Sequence, residues 1–273
     1  MKRPASAPAD QSLLREAGQK SKSMIGVGAD RRPLMDYLLY NAREAGYRDV
    51  VIVIGENDRT FRDHYGPADR NNSCRGLSIS YAVQTIPAGR PKPLGTADAL
   101  LCALRIREDW HGHMFTVCNS DNLYSRRALR LLLEDRHTAA LIDYDRDALR
   151  FEQSRIEQFA VIRKQPTGFL AAIVEKPTLE EIAAAADPAG RVGVSMNIFR
   201  FSFDRVFPIL KQVPLHPVRQ EKELPAAVMM MIGLDPESVM TIPLSEYVPD
   251  LTHQDDIAQM QRYLLTTYPD FSF

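Results

Sequence analysis

Polar residues that could bind metal ions and phosphate follow a short apolar strand. Cys118-Asn119-Ser120-Asp121-Asn122 comes directly after the predicted strand Met114–Val117. In open α/β sheets, ligands bind beyond the carboxyl ends of the strands. A carboxylate at Asp121 is therefore placed to hold a hard cation such as Mg²⁺, which prefers oxygen ligands and often shares itself with phosphates. The alternative interpretation is an ordinary turn that caps the next helix.

Two further segments could contact an anionic ligand. Leu94-Gly95-Thr96-Ala97 precedes a predicted helix, where a glycine allows close approach of the backbone and the helix N-terminus offers free N–H groups. A simple helix cap explains the same residues. Glu175-Lys176-Pro177 follows another predicted strand, and its lysine could bind phosphate as a point charge. A solvated strand end is the simpler interpretation of that segment.

The remaining candidates are weaker when they are taken alone. Asp250 precedes the last predicted helix, and Lys22 lies in a basic loop beside Lys20, so a turn and a solvated tail explain them equally well. The pair His111-Gly112-His113 has no cysteine or carboxylate nearby at the spacing of a zinc site. The sequence also contains no Walker A, G-x-S-x-G, H-E-x-x-H or G-x-G-x-x-G motif.

Composition excludes several classes of protein. The 273 residues include 34 Lys and Arg against 35 Asp and Glu, and this formal charge of −1 argues against a broad electrostatic surface for nucleic acid. Hydrophobic residues at 45% and charged residues at 25% are typical of a globular protein. No apolar stretch approaches the length of a membrane span. Three cysteines without a CxxC pair favour a reducing cytosol. A cytoplasmic protein without nucleic-acid or membrane partners is predicted.

Apolar runs and helical patterns alternate along most of the chain. The block Val50–Ile54 predicts a strand buried on both faces of a parallel sheet, and such a strand needs hydrogen-bonding neighbours on both sides. The alternation predicts an α/β protein with a Rossmann-like, mostly parallel sheet. Further strands are predicted at 77–83, 114–118, 139–142, 192–201 and 240–242, and helices at 33–45, 96–107, 126–134, 202–210 and 223–232, with a last one from Asp255.

The pattern of predicted strands and helices changes in the second half of the chain. The runs 159–162 and 169–174, joined by a Pro- and Gly-containing turn, predict an antiparallel hairpin that forms part of a small lid sheet. One domain over residues 1–273 is the simplest account. It comprises an irregular segment at 1–25 with a short helix at Ser12–Ala17, a first half at about 26–145 and a second half at about 146–273.

The order of these segments resembles that of the sugar-1-phosphate nucleotidyltransferases, in particular glucose-1-phosphate thymidylyl- and uridylyltransferases. The passage from Lys22 to Gly28, with Pro33-Leu34-Met35-Asp36-Tyr37, is similar to a motif near the start of that family. Later motifs follow in the right order over nearly the whole chain. They are Tyr81-Ala82-Val83-Gln84, Leu94-Gly95-Thr96-Ala97, Asn119-Ser120-Asp121, Val174-Glu175-Lys176-Pro177, Ser195-Met196-Asn197-Ile198-Phe199 and Val248-Pro249-Asp250.

The resemblance implies the nucleotide-diphospho-sugar transferase fold and transfer of a nucleotidyl group from a nucleoside triphosphate to a sugar 1-phosphate. It also implies that the half at about 26–145 is the nucleotide-binding half and that the half at about 146–273 is the sugar-phosphate-binding half. The resemblance does not indicate which nucleobase or which sugar the protein uses. It also does not indicate whether the protein is a monomer or a homo-oligomer. The implied roles are Mg²⁺ binding by Asp121 and Asp250, triphosphate contact by Lys22, sugar-phosphate contact by Lys176, sugar contact by Glu175 and Asn197, and base contact by Gln84, Gly95 and Thr96.

The chain departs from the family pattern at its start. The family begins with a strand that runs into a glycine-rich phosphate loop, and nothing like it precedes Lys22. Met1-Lys2-Arg3-Pro4 resembles the residues that come after that loop in the family, so we expect a strand and a phosphate loop upstream in the gene product. Gly26 replaces a common proline, and Tyr247 lies near a usual tryptophan. Two alternatives remain: a non-catalytic sensor on the same fold, and a metal-dependent glycosyltransferase that uses a nucleotide-sugar.

Overall fold

Two β-sheets with helices packed against them form the structure, a computed structural model that describes residues 21–253 and 255–273. The strands are β1 Asp49–Gly55, β2 Asn72–Cys74, β3 Leu77–Gln84, β4 Met114–Cys118, β5 Ala139–Asp145, β6 Val161–Lys164, β7 Leu170–Val174, β8 Gly193–Ser202 and β9 Met240–Leu244. The helices are α1 Leu34–Ala45, α2 Thr60–Tyr65, α3 Thr96–Arg105, α4 Arg126–Glu134, α5 Gln153–Ile156, α6 Leu179–Ala184, α7 Phe203–Leu210, α8 Leu224–Leu234 and α9 Asp256–Thr267.

The first sheet has the order β1-β3-β2. β1 and β3 are parallel along their whole length, from Asp49 opposite Ser78 to Gly55 opposite Gln84. Helix α1 leads into β1 and ends where predicted, because Gly46 adopts the left-handed conformation (φ 118°) that suits a residue after a helix C-terminus. The Val50–Ile54 block forms β1 as predicted, although only Ile52 and Ile54 within it are buried.

The second sheet has the order β7-β6-β8-β5-β9, and β4 pairs with β8. β8 is the long central strand of this sheet. β5 pairs with one edge of β8. Two strands share the other edge of β8: β4 pairs with residues 198–202, and β6 pairs with residues 193–194. This shared edge leaves a break in the sheet between the carboxyl end of β4 and the amino end of β6.

The predicted α/β class is confirmed, and the second sheet is mixed. Parallel pairing joins β1 to β3 and β5 to β9, and every other pairing between the described strands is antiparallel. The alternating pattern predicts more parallel pairing than this, because it does not reveal that β8 runs antiparallel between β4 and β5. The predicted hairpin is present as β6 and β7.

The hydrophobic core forms two clusters on either side of the sheets. One contains α1, the buried residues of β1 and much of α9, and the other contains α3, α7 and α8. Within the described residues, no helix is both long and apolar enough to cross a bilayer. The helix predicted at Ser12–Ala17 and most of the irregular segment predicted at 1–25 lie outside the described residues, but Lys22–Met24 forms a 3-10 turn. The proposed division at about residue 145 stays a prediction.

Candidate functional site

Asp121 and Asp250 lie on backbone segments that pair with each other, although 129 positions separate the two acids in the sequence. The loop after β4 forms an antiparallel bridge with the segment before α9, at Asn122 opposite Asp250. Two backbone hydrogen bonds flank the bridge: Leu123 N–H donates to the Pro249 carbonyl at 2.9 Å, and Leu251 N–H donates to the Asp121 carbonyl at 2.9 Å. Both acids therefore lie on adjacent backbone segments at the carboxyl end of β4.

The electrostatics of the pair favour a bound cation. Burial is the largest effect on Asp121 and raises the pKa of its carboxyl, and the negative charge of Asp250 raises it further, whereas Lys22 and Arg155 lower it. The Lys22 ammonium donates a hydrogen bond to the Thr252 carbonyl at 2.9 Å, which holds this residue at the same site. The neighbouring Cys118 thiol has its pKa raised to about 12, mainly by burial and also by Asp121.

Arg155 is a member of this site that the sequence analysis missed. Its guanidinium forms ion pairs with Asp250 and, at 2.7 Å, with Asp256 at the start of α9. It also lies over the ring of Phe151, with its central carbon 4.6 Å from the ring centroid. The only sequence signal is an arginine on a four-residue helix between β5 and β6, which is too common a feature to single out.

The break along β8 brings several predicted site residues to one place. Cys118 at the end of β4 pairs with Ile198, and the chain then continues through Asn119–Asp121 towards the level of Asn197. β6 enters from the other side, where Ser195 N–H donates to the Ala160 carbonyl at 2.9 Å. Asn197 lies between the two ends with a positive φ of 54°, so the regular ladder is interrupted at this residue.

Glu175 and Lys176 lie at the same level of the sheet. Val174, the last residue of β7, pairs with Val161 of β6, which in turn pairs with Val194 of β8. Adjacent strands are about 4.8 Å apart, and β7 runs in the direction opposite to β4. The carboxyl ends of β4 and β7 therefore approach the break from opposite ends. Lys176 is exposed with φ 47°, and no hydrogen bond or ion pair joins it to another described residue. The register thus brings the carboxyl ends of β4 and β7 and Asn197 to the same break along β8, which we call the crevice.

Gln84 ends β3 and is largely buried. Its amide nitrogen donates to the Gly95 carbonyl at 3.0 Å and to the Asp98 carboxylate at 2.8 Å. Both donor hydrogens of the amide are therefore used within the protein. The amide oxygen has no hydrogen-bond donor among the described residues, which leaves it available as an acceptor.

The sequence predicts free N–H groups at the start of α3. In the structure the segment before α8, at Lys222, packs against this helix start. The Ala97 N–H donates to the Lys222 carbonyl at 2.9 Å and is not free. Gly95, not Thr96, is the N-cap residue, and its φ of 104° favours glycine. A β-carbon at Gly95 would lie 2.7 Å from the Lys222 carbonyl oxygen. The Thr96 hydroxyl accepts a hydrogen bond from the Leu224 N–H at 2.9 Å, so it joins two helices instead of capping its own.

The donor set fits a hard divalent cation. No group of three or more His, Cys, Asp or Glu side chains with the geometry of a metal site occurs within residues 21–253 and 255–273. Mg²⁺, however, typically uses one or two protein carboxylates and takes its other ligands from water and substrate phosphates. Asp121 and Asp250 supply two carboxylates, and Asp121, a half-buried acid with a raised pKa, is the kind of acid that a cation stabilises.

Comparisons with known sequences identify relatives of this chain. A family model described as nucleotidyl transferase matches residues 18–223. The bifunctional protein GlmU of Staphylococcus epidermidis is 23% identical over 203 residues, which cover 74% of this chain and 39% of that protein. A glucose-1-phosphate adenylyltransferase of Bifidobacterium animalis is 22% identical over 193 residues, which cover 70% of this chain and 45% of that protein. The chain thus spans less than half the length of these relatives.

Solved structures show the same fold. A UDP-glucose pyrophosphorylase in complex with UDP-glucose superposes with a TM-score of 0.67 at 17% identity, covering 96% of this chain and 97% of the other. The UTP-bound UGPase of Acinetobacter baumannii gives a TM-score of 0.69 at 17% identity, covering 97% and 93%. At this level of identity the match establishes the architecture, which extends over almost the whole chain.

Proposed function

Because the chain belongs to the nucleotidyl transferase family, we propose that it transfers a nucleoside monophosphate from a nucleoside triphosphate to a sugar 1-phosphate and releases pyrophosphate. The names of its relatives support this reaction, since they include an adenylyltransferase that acts on glucose 1-phosphate and structures with UTP and UDP-glucose bound. The observation that carries the proposal is the bridge between Asn122 and Asp250, which joins the backbone segments of the two acids at the carboxyl end of β4.

In this proposal Asp121 and Asp250 hold Mg²⁺. The ion would supply positive charge to the phosphate oxygens and fix their orientation. Lys22, which is attached to the segment after Asp250 through the Thr252 carbonyl, would contact the triphosphate. The lysine and the two carboxylates would then lie on one side of the crevice, where the triphosphate would bind.

The sugar phosphate would occupy the other side of the crevice. Lys176 would pair with its phosphate, and Glu175 and Asn197 would bind hydroxyl groups of the sugar. An oxygen of the sugar phosphate attacks the α-phosphorus of the nucleotide, the bond to the bridging oxygen of pyrophosphate breaks, and no covalent enzyme intermediate is needed. The protein's part is to align two polyanions and to neutralise their charges.

Gln84 would contact the nucleobase together with Gly95 and Thr96. Since both amide hydrogens of Gln84 are donated within the protein, its side chain offers only an acceptor. An acceptor suits a base edge that presents an N–H group, such as the imide of uracil or thymine. The proposal includes a cytoplasmic location, which the odd number of cysteines and the lack of a CxxC pair in the sequence support.

A pyrophosphate-release assay tests the reaction. Each common nucleoside triphosphate is combined with several sugar 1-phosphates and Mg²⁺, using the purified chain alone and the chain with an added N-terminal strand and phosphate loop. We expect release with at least one pair, and a loss of at least about 100-fold in Asp121→Asn and Asp250→Asn. Asp204→Asn is the control, because Asp204 is an exposed acid that binds His111 away from this site. No release from either form with any pair would overturn the proposal.

A non-catalytic sensor is the second candidate, and two contacts favour it. The Ala97 N–H is taken by the Lys222 carbonyl, and Asp250 is paired with Arg155, so groups of the chain itself occupy two positions that substrates would need. Calorimetric titration distinguishes the candidates: a sensor binds nucleotide or sugar phosphate without releasing pyrophosphate, whereas the transferase does both.

A further inference from the structure

Arg155 on the short helix α5 is a largely buried cation to which the proposed reaction assigns no role. Its side chain is 21% exposed, and its guanidinium forms ion pairs with Asp250 and Asp256, two acids whose side chains are themselves nearly buried. One of these acids is a proposed ligand of the metal ion. The arginine therefore occupies, in the protein alone, a carboxylate that a cation would need.

The guanidinium has hydrogen-bond donors to spare. An arginine side chain carries five N–H groups, and Arg155 uses one from Nη1 for Asp256 and one from Nη2 for Asp250. The Nε–H and the second hydrogen of each terminal nitrogen have no acceptor within residues 21–253 and 255–273. Arg155 can therefore donate to a further acceptor without releasing Asp256.

Contacts other than Asp250 hold the guanidinium in place. Asp256 is itself fixed, because its second carboxylate oxygen accepts a hydrogen bond from the His253 N–H at 2.7 Å. The guanidinium also lies over the ring of Phe151, which packs against Phe159 with the ring centroids 5.4 Å apart. Arg155 should accordingly stay at the site when Asp250 changes its partner.

The net charge of this group of side chains changes sign when a divalent cation binds. Its carboxylates are those of Asp121, Asp250 and Asp256, and its cationic side chains are those of Lys22 and Arg155. Three negative charges against two positive charges leave a net charge of −1, which becomes +1 with a divalent cation bound. An excess positive charge in a partly buried site favours an anion as the next ligand.

We infer that Arg155 is a phosphate-binding residue that exchanges partners. It pairs with Asp250 in the protein alone, and it donates to a phosphate group of a substrate when that carboxylate binds a cation. Arginine suits this role because its planar fork matches the oxygens of a phosphate. A phosphate that shares a cation with Asp250 is also a neighbour of this carboxylate, since Mg²⁺ holds its oxygen ligands at about 2.0–2.1 Å. The inference rests on the proposed metal site, and it adds a residue and a ligand class to it.

The exchange couples the binding of the two ligands. Because linkage is reciprocal, the cation raises the affinity for phosphate and phosphate raises the affinity for the cation. Arg155 acts on the two ligands with opposite signs: it opposes a cation that binds alone, and it favours phosphate once the cation is bound. An arginine that only stabilises the local fold would affect both ligands in the same direction.

Calorimetric titration of the purified chain, with no nucleotide present, tests the inference. Mn²⁺ is titrated first. The Mn²⁺-saturated protein is then titrated with inorganic phosphate and, separately, with the Mn²⁺ complex of inorganic tripolyphosphate. In Arg155→Gln we expect the Kd for Mn²⁺ to fall by about tenfold and the Kd for at least one phosphate probe to rise by about tenfold. A rise for inorganic phosphate assigns the arginine to the sugar phosphate, and a rise for tripolyphosphate assigns it to the nucleotide.

Two further variants serve as controls. Arg62→Gln is matched to Arg155→Gln, because the Arg62 side chain is 24% exposed, pairs with Asp69 at 2.7 Å and lies over the ring of Tyr81. It should change none of the three Kd values. Arg155→Lys keeps the charge but loses the fork, so the Kd for Mn²⁺ should stay within about twofold of the wild-type value while phosphate binding weakens. This variant carries the test if Arg155→Gln does not fold.

Three results would overturn the role of Arg155. They are phosphate binding as tight in Arg155→Gln as in the wild type, phosphate binding as tight in Arg155→Lys as in the wild type, and weaker binding of Mn²⁺ and phosphate together in Arg155→Gln. Asp250→Asn separates this failure from a failure of the metal site. If it weakens Mn²⁺ binding, the metal site stands whatever Arg155 does. If it leaves Mn²⁺ binding unchanged, the metal site is wrong and the role of Arg155 is overturned with it.

Discussion

The guanidinium of Arg155 is paired with the carboxylate of Asp250, one of the two acids proposed to hold the metal ion. Asp250 is only 8% exposed, so its negative charge requires a partner, and the arginine supplies it in the protein alone. A metal ion at Asp250 would compete with this arginine. The affinity for the cation therefore depends on how firmly Arg155 is held, and Asp256 holds it at 2.7 Å.

Removing the positive charge at residue 155 should strengthen metal binding. Arg155→Gln leaves Asp250 without its competing partner and makes the site more negative, so we expect the Kd for Mn²⁺ to fall by about tenfold, equivalent to about 1.4 kcal/mol. Isothermal titration calorimetry measures it on the protein without nucleotide. Arg219→Gln is the matched control, because Arg219 pairs with Glu223 outside the site. A Kd that is unchanged or higher in Arg155→Gln would show that the arginine does not compete with the metal.

Replacing Asp121 should stabilise the metal-free protein. Burial raises the pKa of this carboxyl, so the folded state binds its proton more tightly than the unfolded state does, and stability falls as the pH rises above the unfolded value of about 4. Asp121→Asn removes that cost at neutral pH. We expect the free energy of unfolding in urea with EDTA to rise by about 0.5–2 kcal/mol at pH 7. The gain should shrink as the pH falls towards 4 and vanish below it, because only there is the aspartate neutral in both the folded and the unfolded state. A gain that is independent of pH would point to another cause.

Gly95 should be intolerant of a side chain because two effects act together at this position. Its φ of 104° is unfavourable for alanine, and the added β-carbon would lie 2.7 Å from the Lys222 carbonyl oxygen. We expect Gly95→Ala to lower the free energy of unfolding by about 2–4 kcal/mol. Gly89→Ala isolates the first effect, since Gly89 also has a positive φ but nothing lies within 4 Å of its added carbon. Equal losses in the two variants would mean that the contact with Lys222 is unimportant.

Lys176 should act on the sugar phosphate and not on the nucleotide. Lys176→Met removes one charge-assisted contact of about 1.5–3 kcal/mol, so the KM for the sugar 1-phosphate should rise by about 10–100-fold. The Kd of the nucleoside triphosphate, measured by calorimetry, should remain unchanged. Lys211→Met serves as the control, because Lys211 lies over the ring of Phe207 on α7. A weaker nucleotide Kd in Lys176→Met would place this lysine on the triphosphate.

The amino-acid sequence by itself determined the longer strands and helices and the order of the polar segments, whereas the short elements α2, β2, α5 and α6 were not predicted. The β-branched block at 50–54, the glycine after α1 and the alternation of strands and helices are local features, and local physics decides them. The resemblance of its ordered motifs indicated the family that the match over residues 18–223 then established. Asp121 and Lys176 could also be singled out from local features, since each lies in a polar segment that follows an apolar strand.

Only the tertiary structure decided which of these residues meet. The bridge between Asn122 and Asp250 joins segments that are far apart in the chain, and no spacing rule predicts such a pairing. The same holds for Arg155, which reaches Asp250 and Asp256 from a four-residue helix, and for Lys222, which occupies the Ala97 N–H. Periodicity records which face of an element is apolar, but not which distant group it meets, because hydrogen bonds and ion pairs between remote segments form only after the sheet order is fixed.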